Sequence, residues 1–559
     1  MTTTPSQPSF LFLLIDDVGW GDFSYNNGTA LTPHIDEWAR KTPGSIVLQD
    51  FHSGGTVCSP TRATVLTGRN HFRDCVDYVY GCSDMSTCVP NFEFAPSHTF
   101  TVGDAVRAAG GDYEAFFAGK WHLGSFFNDS QLYHGTTSSP ISHGGFDHFN
   151  ATVEVAPTGT LNCNCREEWR KDCDFGHYNT TNHCFPQDGP CCFNYWWDDP
   201  HSPHGVQNLT WPTPKDDSLY LVDSFQRFLT HRQAQAKPFL AQISFHNCHI
   251  PFIGMHEFKE ACAKGEACRP PGPGEDPYSD EELDYYACLL SLDRSVGKIL
   301  QSLKDAAYYE NTMIWFGSDN GPENNCPPTG ICSKGDTNPR RPKEGPGSAG
   351  ILRGRKRDIY EGGHRVPSIV SFPAMVGQQG LSPIPADRSF ESWQTVTTMD
   401  FLPTIMDLLK IDRPESQQSW AMDGRSIVPL LQNPNGFKWK DHRDGEREIG
   451  IGYFDPKLSE VNGWGFRYGK WKYVQGSASC KVDACRDAQL FDLEKDPGER
   501  HCLARKNPMM LAILEKKFEI WHASVMKSRD EESQCRKVHH ELPFKNRGLI
   551  PNSPRTGPE

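Results

Sequence analysis

No stretch of this 559-residue chain approaches the roughly 20 consecutive apolar residues that a membrane-spanning helix needs. Positive charge is also scarce: 56 Lys and Arg stand against 70 Asp and Glu, a formal net charge of −14. That balance excludes a broad nucleic-acid-binding face, which needs a basic surface. It leaves room for a local basic pocket around a small anion. Zinc-type motifs are missing, because no repeated C-x2-C pairs with nearby histidine partners occur. The N-terminal MTTTPSQPSFLFLLIDD lacks the basic start of a secretory leader, and its short apolar run ends in two acids. That run reads as a first β-strand.

Cysteine is abundant, at 20 residues, and much of it is closely spaced: Cys82/Cys88, Cys262/Cys268, Cys326/Cys332, Cys480/Cys485 and six between Cys163 and Cys192. Such spacing suits disulfides formed in an oxidising compartment. Glycosylation sequons at Asn27, Asn128, Asn150, Asn179 and Asn208 agree with that. The expectation is therefore a secretory-pathway protein, extracellular or lysosome-like, whose leader is missing from this sequence. The alternative is a cytosolic protein with mostly free cysteines. A mass of 62.9 kDa exceeds one ordinary core. A large domain over 1–440, with a Cys-rich stapled insertion at 157–217, and a smaller α+β domain over 441–559 are expected.

Apolar runs recur, and several end in polar residues of chemical interest. FLFLLI leads into Asp16 and Asp17, YEAFFAG into Lys120 and His122, PFLAQISF into His246 and His249, and TMIWFGS into Asp319 and Asn320. Amphipathic, helix-like stretches lie between them, including SLYLVDSFQRFLTHRQ and DEELDYYACLLSLDRSVGKILQSLKDAA. The alternation predicts an α/β fold with a largely parallel sheet. Ligands in such sheets sit beyond the carboxyl ends of the strands. Four runs that deliver acids, an amide, histidines and a lysine there predict one site. After about residue 440 the pattern changes to short strands and then a helix over MMLAILEKKFEIWHASVMK.

The segment GGTVCSPTRATVLTGR poses its own question. Pro60 suits a first helical turn, so Cys58 and Arg62 lie four apart at a helix start and face the same way. A helix N-terminus beside an arginine is an anion site. Cys58 could there be a disulfide partner, a metal ligand, a thiolate nucleophile or a substrate for modification. Asp16, Asp17, Asp319 and the Asn320 carboxamide are hard oxygen donors, suited to calcium or magnesium and poorly to zinc or copper. In an extended segment Lys120 and His122 share a face. The expected centre is a divalent cation and several cationic side chains around a tetrahedral anion.

These segments resemble the type I, formylglycine-dependent sulfatases of the arylsulfatase and N-acetylgalactosamine-6-sulfatase branch. CSPTRATVLTGR is similar to their signature C-x-P-[ST]-R followed by L-T-G-R. LIDDVGWGD, GKWHLG, SFHNCHIPF, GSDNG and LRGRKRDIYEGGHRVP resemble their metal, Lys/His, H-x-P, second metal and lysine segments in family order. The resemblance implies an alkaline-phosphatase-like α/β fold, with a large, mostly parallel mixed sheet flanked by helices. It also implies a smaller C-terminal domain of antiparallel strands and a helix. It implies that Cys58 is oxidised to Cα-formylglycine by a formylglycine-generating enzyme and that its hydrate is the nucleophile. Asp16, Asp17, Asp319 and Asn320 would hold Ca2+ (or Mg2+), with an oxygen of residue 58 contributing. Arg62 would stabilise the hydrate, Lys120 and Lys356 would hold sulfate oxygens, His122 would contact the hydrate and His249 would face the leaving group. The implied reaction is hydrolysis of aryl or carbohydrate sulfate monoesters through a covalent sulfo-enzyme intermediate. Competing readings are a phosphate or phosphonate monoester hydrolase on the same scaffold and a silent binder of sulfated glycans. For individual residues, His246 reads as structural, as do Glu361 and Arg365. Cys248 and Cys288 are candidates for unpaired thiols. The arginines around Lys356 read either as a solvated basic run or as contacts to a polyanionic substrate.

Overall fold

The computed structural model describes residues 7–79, 99–110, 112–124, 139–152, 191–198, 207–213, 216–250, 252–323, 345–376, 389–442, 445–455, 460–476 and 488–532. The N-terminal part supplies β1 (Ser9–Ile15), β2 (Ser45–Leu48), β3 (Phe51–His52), β4 (Glu114–Lys120) and β5 (His148–Thr152). The chain continues through β6 (Cys191–Asp198), β7 (Gln207–Thr213), β8 (Phe239–Ser244) and β9 (Thr312–Ser318). Next come β10 (Ser368–Ser371), β11 (Phe390–Ser392) and β12 (Val396–Thr397). Ten of these strands form one mixed sheet, ordered β11-β2-β10-β9-β1-β8-β4-β5-β6-β7, while β3 and β12 pair separately. β1, β4, β8 and β9 run parallel, and β10 opposes both of its neighbours. This is the expected alkaline-phosphatase-like α/β architecture.

The run SFLFLLI makes a strand that is buried along its whole length, as befits the middle of a sheet covered on both faces. Its alternating side chains divide two cores. Leu11, Leu13 and Ile15 join Trp38, Phe225 and Leu289 on one face. Phe10, Phe12 and Leu14 join Leu66, Val102 and Phe401 on the other. Each such side chain contributes about 1.5–3 kcal/mol by leaving water. The sheet is therefore a stiff platform, and its carboxyl edge is a fixed place to mount side chains.

Within the region expected to be a stapled insertion, the described residues form strands. CCFNYWWD and QNLTWPT are β6 and β7, an antiparallel hairpin that extends the main sheet beyond β5. Their aromatic and β-branched residues carry the strand propensity that cysteine counting obscures. Residues 157–190 of that insertion, and the pairs Cys82/Cys88, Cys326/Cys332 and Cys480/Cys485, lie outside the described residues. Cys262 and Cys268 do form a disulfide, whereas Cys58, Cys248 and Cys288 are free and buried. In the sequon at Asn150 the part-buried side chain donates from Nδ2 to Tyr220 Oη (2.6 Å) and Ser224 Oγ (2.9 Å).

A second, four-stranded antiparallel sheet follows: β13 (Glu448–Asp455), β14 (Glu460–Tyr468), β15 (Trp471–Gln475) and β16 (Ala488–Asp492). GFRYGKWKYV is the β14–β15 hairpin, with Gly469 supplying the left-handed turn (φ 55°). The helix Pro508–Lys527 packs Leu514 and Phe518 on Phe466, Tyr473 and Leu490. Ile449, Ile451, Val474 and Phe491 meet Ile359, Tyr360 and Met399 of the larger unit. Among the described residues no helix is long and apolar enough to cross a membrane.

Candidate active site

All ten residues singled out from the sequence converge at the carboxyl edge of the large sheet. Asp16 and Asp17 follow β1, Asp319 and Asn320 follow β9, Lys120 ends β4, and His249 lies five residues beyond β8. Cys58 is the first residue of the helix Cys58–Thr67, and Lys356 arrives on the loop before Glu361. Two glycines make the approach feasible. A Cβ on Gly119 (φ 95°) would meet the Ser244 carbonyl at 1.9 Å, and one on Gly321 the Gly362 carbonyl at 1.9 Å. Asp17 (φ 57°) and His122 (φ 55°) occupy the left-handed region without being glycine. Strain of this kind persists where the surroundings fix it, and it gathers at functional sites.

The contacts knit the residues together. Cys58 Sγ lies 3.5 Å from Asp16 Oδ1 and 3.5 Å from Lys120 Nζ. The Lys120 ammonium also donates to Asp16 Oδ2. Arg62 donates from Nη2 to Asp319 Oδ2 (2.7 Å) and Asp16 Oδ2 (3.2 Å), and from Nη1 to the Lys120 carbonyl (2.7 Å). Lys356 Nζ donates to Asp17 Oδ2 at 2.7 Å and lies 2.8 Å from Glu323 Oε2. His249 Nδ1 faces the Ile250 carbonyl at 2.6 Å, which fixes the proton on Nδ1 and turns Nε2 toward Asp17 Oδ2 at 3.7 Å. Ser59 Oγ donates to the His122 carbonyl at 2.6 Å.

Burial sets the electrostatics. Burial would raise Asp16, but Lys120 and Arg62 hold its carboxyl well below the usual range. Burial outweighs Lys356 at Asp17, which, with Asp16 adding, is pushed up to about 8. Burial and Asp16 lift Asp319 to about 6. Burial, then Asp16 and Asp319, drive the Cys58 thiol well above its ordinary value. Burial with Lys356 and Lys120 lowers His249, and burial with Lys120 and Arg62 lowers His122, so both imidazoles are neutral while no anion is bound. Lys356 would be lowered by burial, but Asp17 holds it well above its usual value.

The donor set fits a hard cation. Asp16, Asp17, Cys58 and His249 each place one ligating atom within 4.8 Å of the others. The Asp319 carboxylate is held by Arg62, and the buried Asn320 Oδ1 has no hydrogen-bond partner among the described residues. A buried carbonyl oxygen left bare beside three carboxylates is costly unless something positive meets it. Both ring nitrogens of His122 are likewise buried without partners among the described residues.

Some expectations are corrected here. Lys356 is 2% exposed, so it does not belong to a solvated basic run. Its arginine neighbours are not free for a polyanion either: Arg353 bonds the Glu499 carbonyl, Arg355 the Glu323 and Gly347 carbonyls, and Arg357 the Glu323 carboxylate. The arginines brace the lysine loop from within. His246 is held by Asp217 (2.6 Å) and Thr152 (2.8 Å), in keeping with a structural role. Glu323 escaped notice in the sequence, although it stands four residues beyond Asp319 and pairs with the lysine segment. Also unread was a second buried cluster, in which Asp50, His52, Glu361 and His364 meet Arg467, Lys472 and Glu499 of the C-terminal part.

Comparison with known proteins bears on the same residues. The sulfatase family profile matches residues 8–411, and the profile of the N-sulphoglucosamine sulphohydrolase C-terminal region matches 354–522. Arylsulfatase A of Homo sapiens is 26% identical over 531 residues, covering 89% of this chain and 83% of that protein. N-acetylgalactosamine-6-sulfatase of Canis lupus familiaris is 26% identical over 529 residues, covering 92% and 84%. In fold, the crystal structure of Ps i-CgsB superposes with a TM-score of 0.65 at 20% identity, covering 95% of this chain and 94% of that one. With the profile spanning every residue of the centre, the chain belongs to the sulfatase family and is a sulfuric ester hydrolase.

Proposed function

We propose that Cys58 is converted to Cα-formylglycine and that its hydrate attacks the sulfur of an aryl or carbohydrate sulfate monoester. The observation that carries this reading is the state of Cys58. It is free, buried and at a helix N-terminus, yet its thiol is pushed away from ionisation. A thiolate nucleophile needs the opposite shift, and a disulfide partner is absent. Of the fates open to this cysteine, modification suits the site.

Asp16, Asp17, Asp319 and Asn320, with an oxygen of the modified residue 58, would hold the cation, calcium in preference to magnesium. When bound it would offset charge on the sulfate oxygens. The chain's own groups do the rest. Lys120 and Lys356 bind sulfate oxygens, and Arg62 orients the hydrate. One hydrate hydroxyl gives up its proton to solvent and forms the new S–O bond while the bond from sulfur to the ester oxygen breaks, that oxygen taking a proton from Nε2 of His249. His249, whose own proton faces the Ile250 carbonyl from Nδ1, takes up this second proton from solvent when the anion arrives and raises its affinity for one. Loss of a proton from the second hydroxyl to His122 then expels sulfate, restores the aldehyde and leaves it to take up water again. An ordinary hydroxyl could form the sulfo-enzyme once but could not release it this way.

A disulfide at Cys262–Cys268, together with bonded Cys75 and Cys502, supports maturation in the secretory pathway beside a formylglycine-generating enzyme. The test is the mass of the peptide ending at Arg62, from protein made in a host with that machinery. An aldehyde at position 58 is the expected result. A fully active protein that carries only a thiol there would overturn the proposal. Rates on matched sulfate and phosphate esters separate it from a phosphate-ester hydrolase.

A further inference from the structure

We propose that a cleft on the same sheet edge, remote from the catalytic centre, binds an anionic glycan chain and makes sulfated polysaccharide the substrate class. This rests on the reading that sulfate esters are what the centre cleaves. The cleft, about 640 Å³, lies where β11 and the loop before β13 meet the small sheet. Six basic side chains line it against three acidic ones; Arg365, Arg467, Arg447 and Lys470 are paired with acids, and Lys438 and Lys440 supply the uncompensated charge. None of the residues placed at the catalytic centre is among them.

Two of its features point to a ligand. Arg447 lines the cleft at 2% exposure and pairs with Asp400, yet its buried Nε and Nη1 have no hydrogen-bond acceptor among the described residues. Buried guanidinium donors left bare are costly and are met by an anion when one arrives. The second feature is Trp393, a large aromatic that is 59% exposed. It forms a wall common to this cleft and to a neighbouring one of about 470 Å³ that Trp20 also lines. Arg365 lies against the Trp393 ring, with its guanidinium carbon 5.7 Å from the centroid. An indole fixed in this way offers a flat apolar face to the C–H face of a sugar. Lys438 and Lys440, both exposed, add charge at the rim and have no acidic partner among the described residues.

Topology places the cleft in line with the chemistry. β2 and β9 both oppose β10, and β11 is parallel to β2, so β11 ends on the same edge as β1 and β9. Trp393 and Asp16 each follow the last residue of their strand, and four inter-strand steps separate those strands. At about 4.8 Å per step the two positions are about 19 Å apart. That distance suits one polymer touching both places and is far beyond a single aryl sulfate. Stacking on Trp393 favours a glycan over an acidic peptide.

The test reads binding without turnover, in full-length Cys58→Ala protein, so that failure of the formylglycine chemistry cannot mimic failure of this site. The probes are dextran sulfate, neutral dextran of the same length and polyglutamate, followed by calorimetry. Dextran sulfate should bind and neutral dextran should not, with affinity falling as salt rises. Trp393→Ala and the pair Lys438→Ala/Lys440→Ala should each weaken dextran sulfate binding about tenfold, with melting temperature unchanged because all three residues are exposed. Polyglutamate should bind more weakly and be indifferent to Trp393→Ala. Unchanged dextran sulfate affinity in both variants would overturn the proposal. Polyglutamate binding as tight as dextran sulfate would also overturn it, pointing to an acidic protein partner instead.

Discussion

Two of the buried knots of charge among the described residues differ in what they leave unmet. At the candidate centre, neither ring nitrogen of His122 nor Asn320 Oδ1 finds a hydrogen-bond partner among the described residues. At the junction with the C-terminal sheet, every imidazole nitrogen is occupied. His52 Nδ1 meets His364 Nδ1 at 2.9 Å, His52 Nε2 meets Asp50 (3.1 Å) and Arg467 (2.8 Å), and His364 Nε2 meets Lys472 (3.2 Å). Three acids there, Asp50, Glu361 and Glu499, face three cations, Arg365, Arg467 and Lys472. His52, Glu361 and His364 sit as close together as a metal site would need, but all four ring nitrogens are taken, and Glu361 Oε2, which makes no hydrogen bond among the described residues, has Arg365 and Arg467 3.6 Å away. Proximity and shifted ionisation therefore do not distinguish a reaction centre from a clasp. Unmet imidazole nitrogens separate these two.

The comparison breaks most sharply at Cys58. Cys58→Ala should cut sulfate-ester turnover by about 10,000-fold or more while leaving the melting temperature nearly unchanged, measured with an aryl sulfate and by calorimetry. Residual activity near wild type would deny residue 58 its role. The opposite pattern is expected at the clasp. Lys472→Met strands Glu361 and Glu499 in a dry interior and should cost about 3–5 kcal/mol in denaturant unfolding, with turnover of the remaining folded protein preserved. A loss of turnover at full stability would mean that the clasp takes part in the chemistry. Lys356→Ala sharpens the contrast within the centre. If Lys356 binds a sulfate oxygen as proposed, its removal should lower kcat/KM about 100- to 1,000-fold, and restoration by Lys356→Arg is expected to be poor, since a guanidinium is not a point charge.

Acid should move the two knots in opposite senses. At the junction, burial is overcome by Arg467 and Arg365 at Asp50 and by Lys472 and His52 at Glu361, so both carboxyls are held well below the usual range. At these two carboxyls the folded state binds fewer protons than the unfolded chain, and the stability they provide is present above about pH 4 and lost below it, while Glu499, lifted by burial to about 7, opposes them between about pH 4 and 7. In the metal-free centre, burial raises Asp17 to about 8 and Asp319 to about 6. The folded state then binds more protons than the unfolded chain from about pH 4 up to those values, so stability falls as pH rises through that window. Chelated protein should therefore melt highest in mild acid, and added calcium should restore stability chiefly toward pH 8, because its ligands must ionise first. A calcium effect of equal size at pH 5 and pH 8, in melts across the range, would remove this assignment.

Legibility from sequence follows the same division. Seven residues of the centre could be read because each sits just beyond an apolar run, a local signal, whereas Cys58, Arg62 and Lys356 follow no such run and were assigned from the resemblance. β1, β4, β8 and β9 were plain for that reason. The clasp could not be read, because its pairs join residues 111 positions apart, as in Lys472 with Glu361, or 417 apart, as in Arg467 with Asp50. The β6–β7 hairpin was hidden by cysteine counting, and the reversal of β10 by the absence of any local mark of strand direction. The arginines around Lys356 looked like surface and turned inward, since only the fold supplies the carbonyls that accept them.

All ten residues of the helix Cys58–Thr67 are buried, and Cys58 itself is 1% exposed. On the proposed conversion of Cys58, this burial would fix an order of events in the protein's biogenesis. An enzyme that oxidises residue 58 would have to grip several residues of extended chain around it, and the finished molecule offers none of them. The window for maturation would then close when the sheet and this helix come together, and a chain that folded first would be locked out of activity, however much modifying enzyme it later met.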